Sequence, residues 1–211
     1  GVPREELFIT SKLWREDLSR AGVRRQCEES LRALGVPYLD LLLIHWPNPE
    51  FVLEETLEEM ERLRGEGKIR ELGVSNFPPG WLKRALAAAP VFCNQVEYHP
   101  FLSQGAIHGM CVEHDVLLTA YSPLARGETA QAGALDEIGR AYGKSGAQVA
   151  LRWLVEQEQV AAIPRSSQTG HLEEDFDIFD FELSDADRAR IDALPKDRRQ
   201  VNPEFAPDWG A

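Results

Sequence analysis

The sequence is poor in cysteine, lacks any excess of basic charge and contains no long apolar run. Its three cysteines, Cys27, Cys93 and Cys111, are odd in number and show no paired metal spacing, so neither a disulfide framework nor a zinc centre is predicted. That usage suits a reducing cytoplasm, the expected location. Lysine and arginine total 23 against 35 acids, giving a formal charge of −12, and the cations are dispersed. A nucleic-acid surface needs a basic field, so that class of partner is excluded. No apolar run approaches the roughly 20 residues of a membrane span, and no membrane partner is expected. No Pro/Gly/Ser-rich linker interrupts the 211 residues, which are enough for one sizeable core, and a single domain over 1–211 is expected.

What is present is a regular alternation of strands and helices. Tyr38 to Pro47 reads YLDLLLIHWP, in which Leu39, Leu41, Leu42, Leu43 and Ile44 are too continuous for a half-wet strand. They predict a parallel strand buried on both faces that delivers His45 to its carboxyl end. Further strands are predicted at Leu7 to Lys12, Ile69 to Val74, Val91 to Val96, Val116 to Ala120 and Val160 to Ile163. Helices are predicted from Ser19 to Leu34 with Gly35 as the stop, from Leu53 to Arg64, from Trp81 to Ala89 behind Pro78 and Pro79, and over 103–112. Others run from Leu135 to Tyr142 and from Ala147 to Glu156, with a short one in PRSSQTGHLEED. In the last, Ser184 to Leu194, Ser184 and Asp187 read as a capping box.

Six strands, each followed by a helix, imply a parallel sheet in an α/β fold. Polar and aromatic residues cluster after nearly every strand, and no GxGxxG follows the first one. Both features favour a closed (β/α)8 TIM barrel over an open doubly wound sheet. Such a barrel has eight strands, so strands 3 to 8 are expected in this chain, with about two N-terminal βα units absent. The opening GVPREELFITSK, where only a short polar stretch precedes a strand, fits something removed upstream.

The segments LFITSKLW, LLLIHWP, GVSNF, NQVEYHP, TAYSPL and AQVALRW, in this order and at these separations, resemble the aldo-keto reductases. The tail and PRSSQTGHLEED are most similar to the bacterial 2,5-diketo-D-gluconate reductase and methylglyoxal reductase branch. The resemblance implies a monomeric barrel that reduces aldehyde or ketone carbonyls, such as small dicarbonyls and keto sugar acids, with NADP(H) and no metal. Of the family's catalytic Asp, Tyr, Lys and His, Lys12 matches the lysine and His45 the histidine. The Asp and Tyr would fall before Gly1, so the 211 residues alone are expected to be inactive. An ammonium beside a phenol favours its ionised form and brings a pKa near 10 toward the working range, the role expected of Lys12. Desolvation keeps His45 neutral, able to donate to a carbonyl oxygen. On the residues alone, a lysine snorkelling at a strand end is the commoner reading of Lys12, and His45 equally fits a core imidazole bonded to a backbone carbonyl.

The same resemblance implies that Ser75, Asn76 and Gln95 hold the nicotinamide carboxamide, whose acceptor and donors such side chains can pair. It implies that Tyr121 stacks on the ring with its hydroxyl left wet, and that Ser122 and Leu124 lie in the loop over pyrophosphate and ribose. Arg165, Ser166, His171, Glu174 and Asp175 would bind the adenosine phosphate end. His171 stands where relatives usually carry Arg and Asp175 where they carry Asn, so the preference for NADPH over NADH is expected to be less steep. Trp46, Phe77 and Trp209 would touch substrate, with Asn202 and Phe205 in a tail folded across the mouth. A redox-linked binding module like the potassium-channel β subunits, or a degenerate nucleotide binder, remains the alternative.

Overall fold

The computed structural model describes residues 1–131 and 133–210. Strands β1 (Thr10–Leu13), β2 (Leu39–Ile44), β3 (Ile69–Ser75), β4 (Cys93–Glu97), β5 (Leu117–Tyr121) and β6 (Val160–Ala162) follow one another in sheet order. The β1–β2, β2–β3 and β5–β6 pairs are parallel. This is the order of six consecutive strands of a (β/α)8 barrel. The helices between and after them are α1 (Arg20–Leu34), α2 (Leu53–Gly65), α3 (Pro79–Ala88), α4 (Gly105–Glu113), α5 (Gly133–Tyr142), α6 (Gly146–Val155), α7 (Thr169–Phe176) and α8 (Asp185–Asp192). The chain forms two compact units: Gly1–Asn94 with the chain from Ala206 onward, and Gln95–Phe205.

In the first unit β2 lies between β1 and β3, and all six of its residues are buried. The continuous apolar run follows from this, because neither face meets water. β1 begins at Thr10 and not at Leu7, and Leu7 and Phe8 are exposed. The ladder is interrupted there because the Asp40 carboxylate, held by Arg4, accepts the Ile9 N–H at 2.8 Å. The Ser19 hydroxyl accepts from the Gly22 N–H to start α1, and Gly35, in the left-handed region at φ 66°, ends it. Val23 and Cys27 are buried as the periodicity predicts, whereas Leu34 is exposed. Helix α2 buries Leu53, Leu57, Met60 and Leu63 along one face, each contributing about 1.5–3 kcal/mol. In β3, Gly73 is required by close packing, since a Cβ there would lie 2.7 Å from the Cys93 carbonyl oxygen and 2.8 Å from Leu43 Cδ2.

In the second unit β5 and β6 are backed by α6, whose Ser145–Gln148 capping box was not foreseen. The box predicted at α8 is only half formed. The Ser184 hydroxyl accepts the Asp187 N–H, but the Ser184 N–H donates to the Tyr142 hydroxyl at 2.9 Å. Aspartate is one methylene shorter than the usual glutamate, and its carboxylate takes the Ser184 and Tyr142 hydroxyls instead. Trp153 Nε1 donates to Asp192 at 2.9 Å, and the Lys196 ammonium donates to the Pro100 and Ile191 carbonyls. Together these bonds hold α8 against α5 and α6.

Candidate active site

The register of β1, β2 and β3 decides which side chains share a face. Lys12 pairs with Leu43, and Leu43 pairs with Gly73. Side chains alternate along a strand, so Lys12, Leu43 and Gly73 point the same way, and His45 and Ser75, two residues on, point that way too. The His45 N–H donates to the Leu13 carbonyl at 3.0 Å, extending the ladder by one residue and fixing the imidazole at the carboxyl rim. Asn76 follows in the left-handed region at φ 62°, which asparagine tolerates better than most residues. Its side-chain amide donates to the His45 carbonyl at 3.0 Å and to Ser75 Oγ at 3.2 Å. Lys12, His45, Ser75 and Asn76 are thus brought together.

Their electrostatics follow from this placement. Burial lowers the Lys12 ammonium from its ordinary value, partly opposed by the nearby Cys93 thiol. Burial, aided by the Lys12 charge, pushes His45 down to about 4, so the imidazole is neutral at neutral pH. Aromatic rings surround it. Trp14 meets His45 edge-on at 5.2 Å between centroids, Trp46 stacks at 6.4 Å, and Trp209 packs on Trp46 at 6.1 Å. Trp46 is almost fully buried, whereas Trp14 is 40% exposed. Trp14 received no role from the sequence, although it stands two residues past Lys12, just beyond the end of β1. Phe77 is fully buried with its ring edge-on to Trp81, so it belongs to the core and does not present an open substrate wall.

In the second unit Gln95 is buried near the end of β4. Burial, with the Glu97 carboxylate nearby, pushes the Tyr121 hydroxyl well above the ordinary range, and it sits against the Glu97 backbone. The chain leaves β5 through Ser122 at φ 48°, and the Leu124 carbonyl accepts the Gly127 N–H and the Thr129 hydroxyl. Arg165 is exposed, and Ser166 Oγ accepts the Gln168 N–H just before α7. His171, Glu174 and Asp175 come together on α7, where burial raises the Asp175 carboxyl, His171 opposes the shift and Glu174 adds to it.

Sequence reading missed a buried network in this unit. Glu97 and His99 are both fully buried. His99 Nδ1 accepts the Phe101 N–H at 3.3 Å, which leaves the Nε2 proton to donate to Glu97 at 3.0 Å. The same carboxylate accepts the Gln200 and Val201 backbone N–H groups at 2.6 and 2.9 Å. A Glu two residues before a His was the only local signal, because the other partners lie about a hundred residues later.

Among the described residues no group of three or more His, Cys, Asp or Glu side chains could hold a metal ion, and no helix is long and apolar enough to cross a membrane.

An ammonium and a neutral imidazole share one face where parallel strands of an α/β barrel end, the rim at which enzymes of this fold carry their chemistry. A model of the Aldo/keto reductase family matches residues 1–196. The chain is 44% identical over 201 residues to a glyoxal reductase of Bacillus subtilis, covering 94% of this chain and 72% of that protein. It is 38% identical over 204 residues to a 9,11-endoperoxide prostaglandin H2 reductase of Trypanosoma cruzi, covering 94% and 71%. An aldo-keto reductase of the silkworm Bombyx mori, solved in complex with NADPH, superposes with a TM-score of 0.91 at 31% identity, covering 98% of this chain and 72% of that one. The chain belongs to the aldo/keto reductase family, and its general activity class is that of a carbonyl-reducing oxidoreductase.

Proposed function

We propose that this protein reduces small aldehyde or ketone carbonyls, dicarbonyls and keto sugar acids among them, with NADP(H), and that Lys12 and His45 act on the carbonyl oxygen. The carrying observation is their common face at the rim of β1 and β2, with His45 held neutral at about 4 by burial and by the Lys12 charge. A neutral imidazole donates one hydrogen bond to the substrate oxygen without having to titrate. The Lys12 ammonium sets a positive potential that favours the ionised form of a phenol acid beside it. Trp14 and Trp209 present apolar surface to the rest of a small substrate, and Trp46, almost fully buried, backs them.

The residue types suit the cofactor. Ser75, Asn76 and Gln95 are buried and carry the acceptors and donors that a carboxamide needs. Tyr121 offers an aromatic face, with Ser122 and Leu124 in the turn behind it. Arg165, Ser166 and the start of α7 would receive a phosphate, with His171, Glu174 and Asp175 toward the adenosine. When bound, NADPH supplies the hydride.

The phenol acid is not among the four tyrosines. Tyr38 is sandwiched between Arg4 and Arg70, Tyr98 bonds Gln157, Tyr142 bonds Asp187, and the Tyr121 hydroxyl sits against the Glu97 backbone, its pKa raised. The 211 residues alone are therefore expected to bind cofactor with little or no turnover. The test is a titration with NADPH followed by tryptophan fluorescence, then addition of methylglyoxal to a form that also carries the family's Asp and Tyr. Quenching followed by loss of the dihydronicotinamide absorbance is expected. Quenching without turnover in that form rejects the enzyme in favour of a nucleotide binder, and no quenching in either form rejects the reading altogether.

A further inference from the structure

The loop between β1 and α1 carries Trp14, and side chains from other segments hold its backbone. Gln26 of α1 uses its whole carboxamide on it. Its oxygen accepts the Trp14 N–H at 2.6 Å, while its nitrogen donates to the Trp14 carbonyl at 3.3 Å and to the Asp17 carbonyl at 2.8 Å. Asn48, three residues past His45, donates to the Arg15 carbonyl at 2.9 Å. The Thr56 hydroxyl of α2 donates to the Leu18 carbonyl at 2.7 Å. Of these three, only Gln26 grips Trp14 itself, pairing with both its N–H and its C=O as a neighbouring strand would. The indole so held stands edge-on to His45 at 5.2 Å.

We propose that Gln26 is a positioning residue of the carbonyl site, locking the Trp14 backbone so that the indole shields the His45 imidazole from water. This rests on the reading of His45 given above. Without the lock the loop keeps its Asn48 and Thr56 bonds but loses both Gln26 bonds to the backbone of residue 14, the indole is held less firmly, and water reaches the ring more readily. Among the described residues the charge acting on His45 is that of Lys12 on β1, and Cys93 on β4 acts in turn on Lys12. Neither is altered by a change at Gln26. Asp17 and Arg25 pair with each other next to Gln26.

The test is an NMR titration of His45 in the full chain, assigned with His45→Asn, together with amide exchange at Trp14. Gln26→Met keeps the length without the three bonds, and Gln26→Ala removes the side chain; both residues favour helix, so α1 is retained. In each variant Trp14 amide exchange is expected to quicken roughly tenfold or more. The His45 midpoint is expected to rise by about one pH unit toward its ordinary value near 6.5. Faster exchange with an unmoved midpoint overturns the shielding role, and unchanged exchange overturns the lock. A wild-type midpoint already near the ordinary value instead sinks the reading of His45 as a desolvated donor, so the two failures are distinguishable.

Discussion

Replacing Glu97 with glutamine asks whether one buried carboxylate holds the C-terminal segment in the second unit. Three N–H donors converge on it, from His99 at 3.0 Å, Gln200 at 2.6 Å and Val201 at 2.9 Å. Glutamine keeps one oxygen and sets an NH2 where the other was, so at least one donor faces another donor. A hydrogen bond to a charged group contributes about 1.5–3 kcal/mol, and a buried donor left unmade costs about 1–3 kcal/mol. The expected loss for Glu97→Gln is roughly 3–5 kcal/mol, read by urea unfolding at neutral pH with an unchanged m value. Amide exchange should quicken at Gln200 and Val201 before it does in β5. The pH dependence has a definite sign. Burial works to raise the Glu97 carboxyl, but its N–H donors hold it below the ordinary value. Such a group contributes stability that is complete above the unfolded-state value, near 4.3, and lost as pH falls through the folded one. The variant has nothing there to protonate, so the gap between the two proteins should narrow below about pH 4. A loss under about 1 kcal/mol, or a gap that stays constant into acid, refutes the anchoring role.

Three further outcomes are expected. NMR should place the His45 midpoint at about 4, and Lys12→Met should recover only a minority of the deficit because burial is the larger cause. Since folding depresses this pKa, the His45 contribution to stability should decline from about pH 6.5 downward as the unfolded chain takes up the proton; a midpoint unmoved by Lys12→Met would deny their coupling. Gly73→Ala should cost about 1–3 kcal/mol in urea unfolding, because the new Cβ meets the Cys93 backbone, which cannot yield as a side-chain tip can; a neutral result would contradict the close packing at β3. Ser145→Ala removes the α6 capping box and should lower stability by about 1 kcal/mol, with Ser145→Asp restoring most of it.

How much of this was legible depended on how local the cause was. The bounds of β2 matched the expected strand at both ends because burial on both faces leaves an uninterrupted apolar run, and α1 announced itself through Ser19 and Gly35. The strand at Leu7 was overextended because Leu7, Phe8 and Ile9 look like strand residues, while the Asp40 carboxylate that takes the Ile9 N–H lies 31 residues away. At Ser184 the pattern was right and the partner wrong, since Tyr142 reached the N–H first. In the candidate site, strand ends and motifs singled out Lys12 and His45, and parallel register puts them on one face. Trp14, Gln26 and the Glu97 network were not. Their meaning comes largely from bonds to residues 9 to about 100 positions distant, which neither periodicity nor spacing encodes.

Cys27, Cys93 and Cys111 are all buried and outside any disulfide, and burial pushes Cys27 up to about 11. Thiolate is the species that alkylating reagents capture, so Cys27 offers almost none of it at neutral pH. A cysteine installed at the exposed Asn202 would then react with a polar maleimide well ahead of the native thiols. The tail could carry a fluorophore with no prior removal of cysteines, and its movements could be followed in an otherwise unaltered chain.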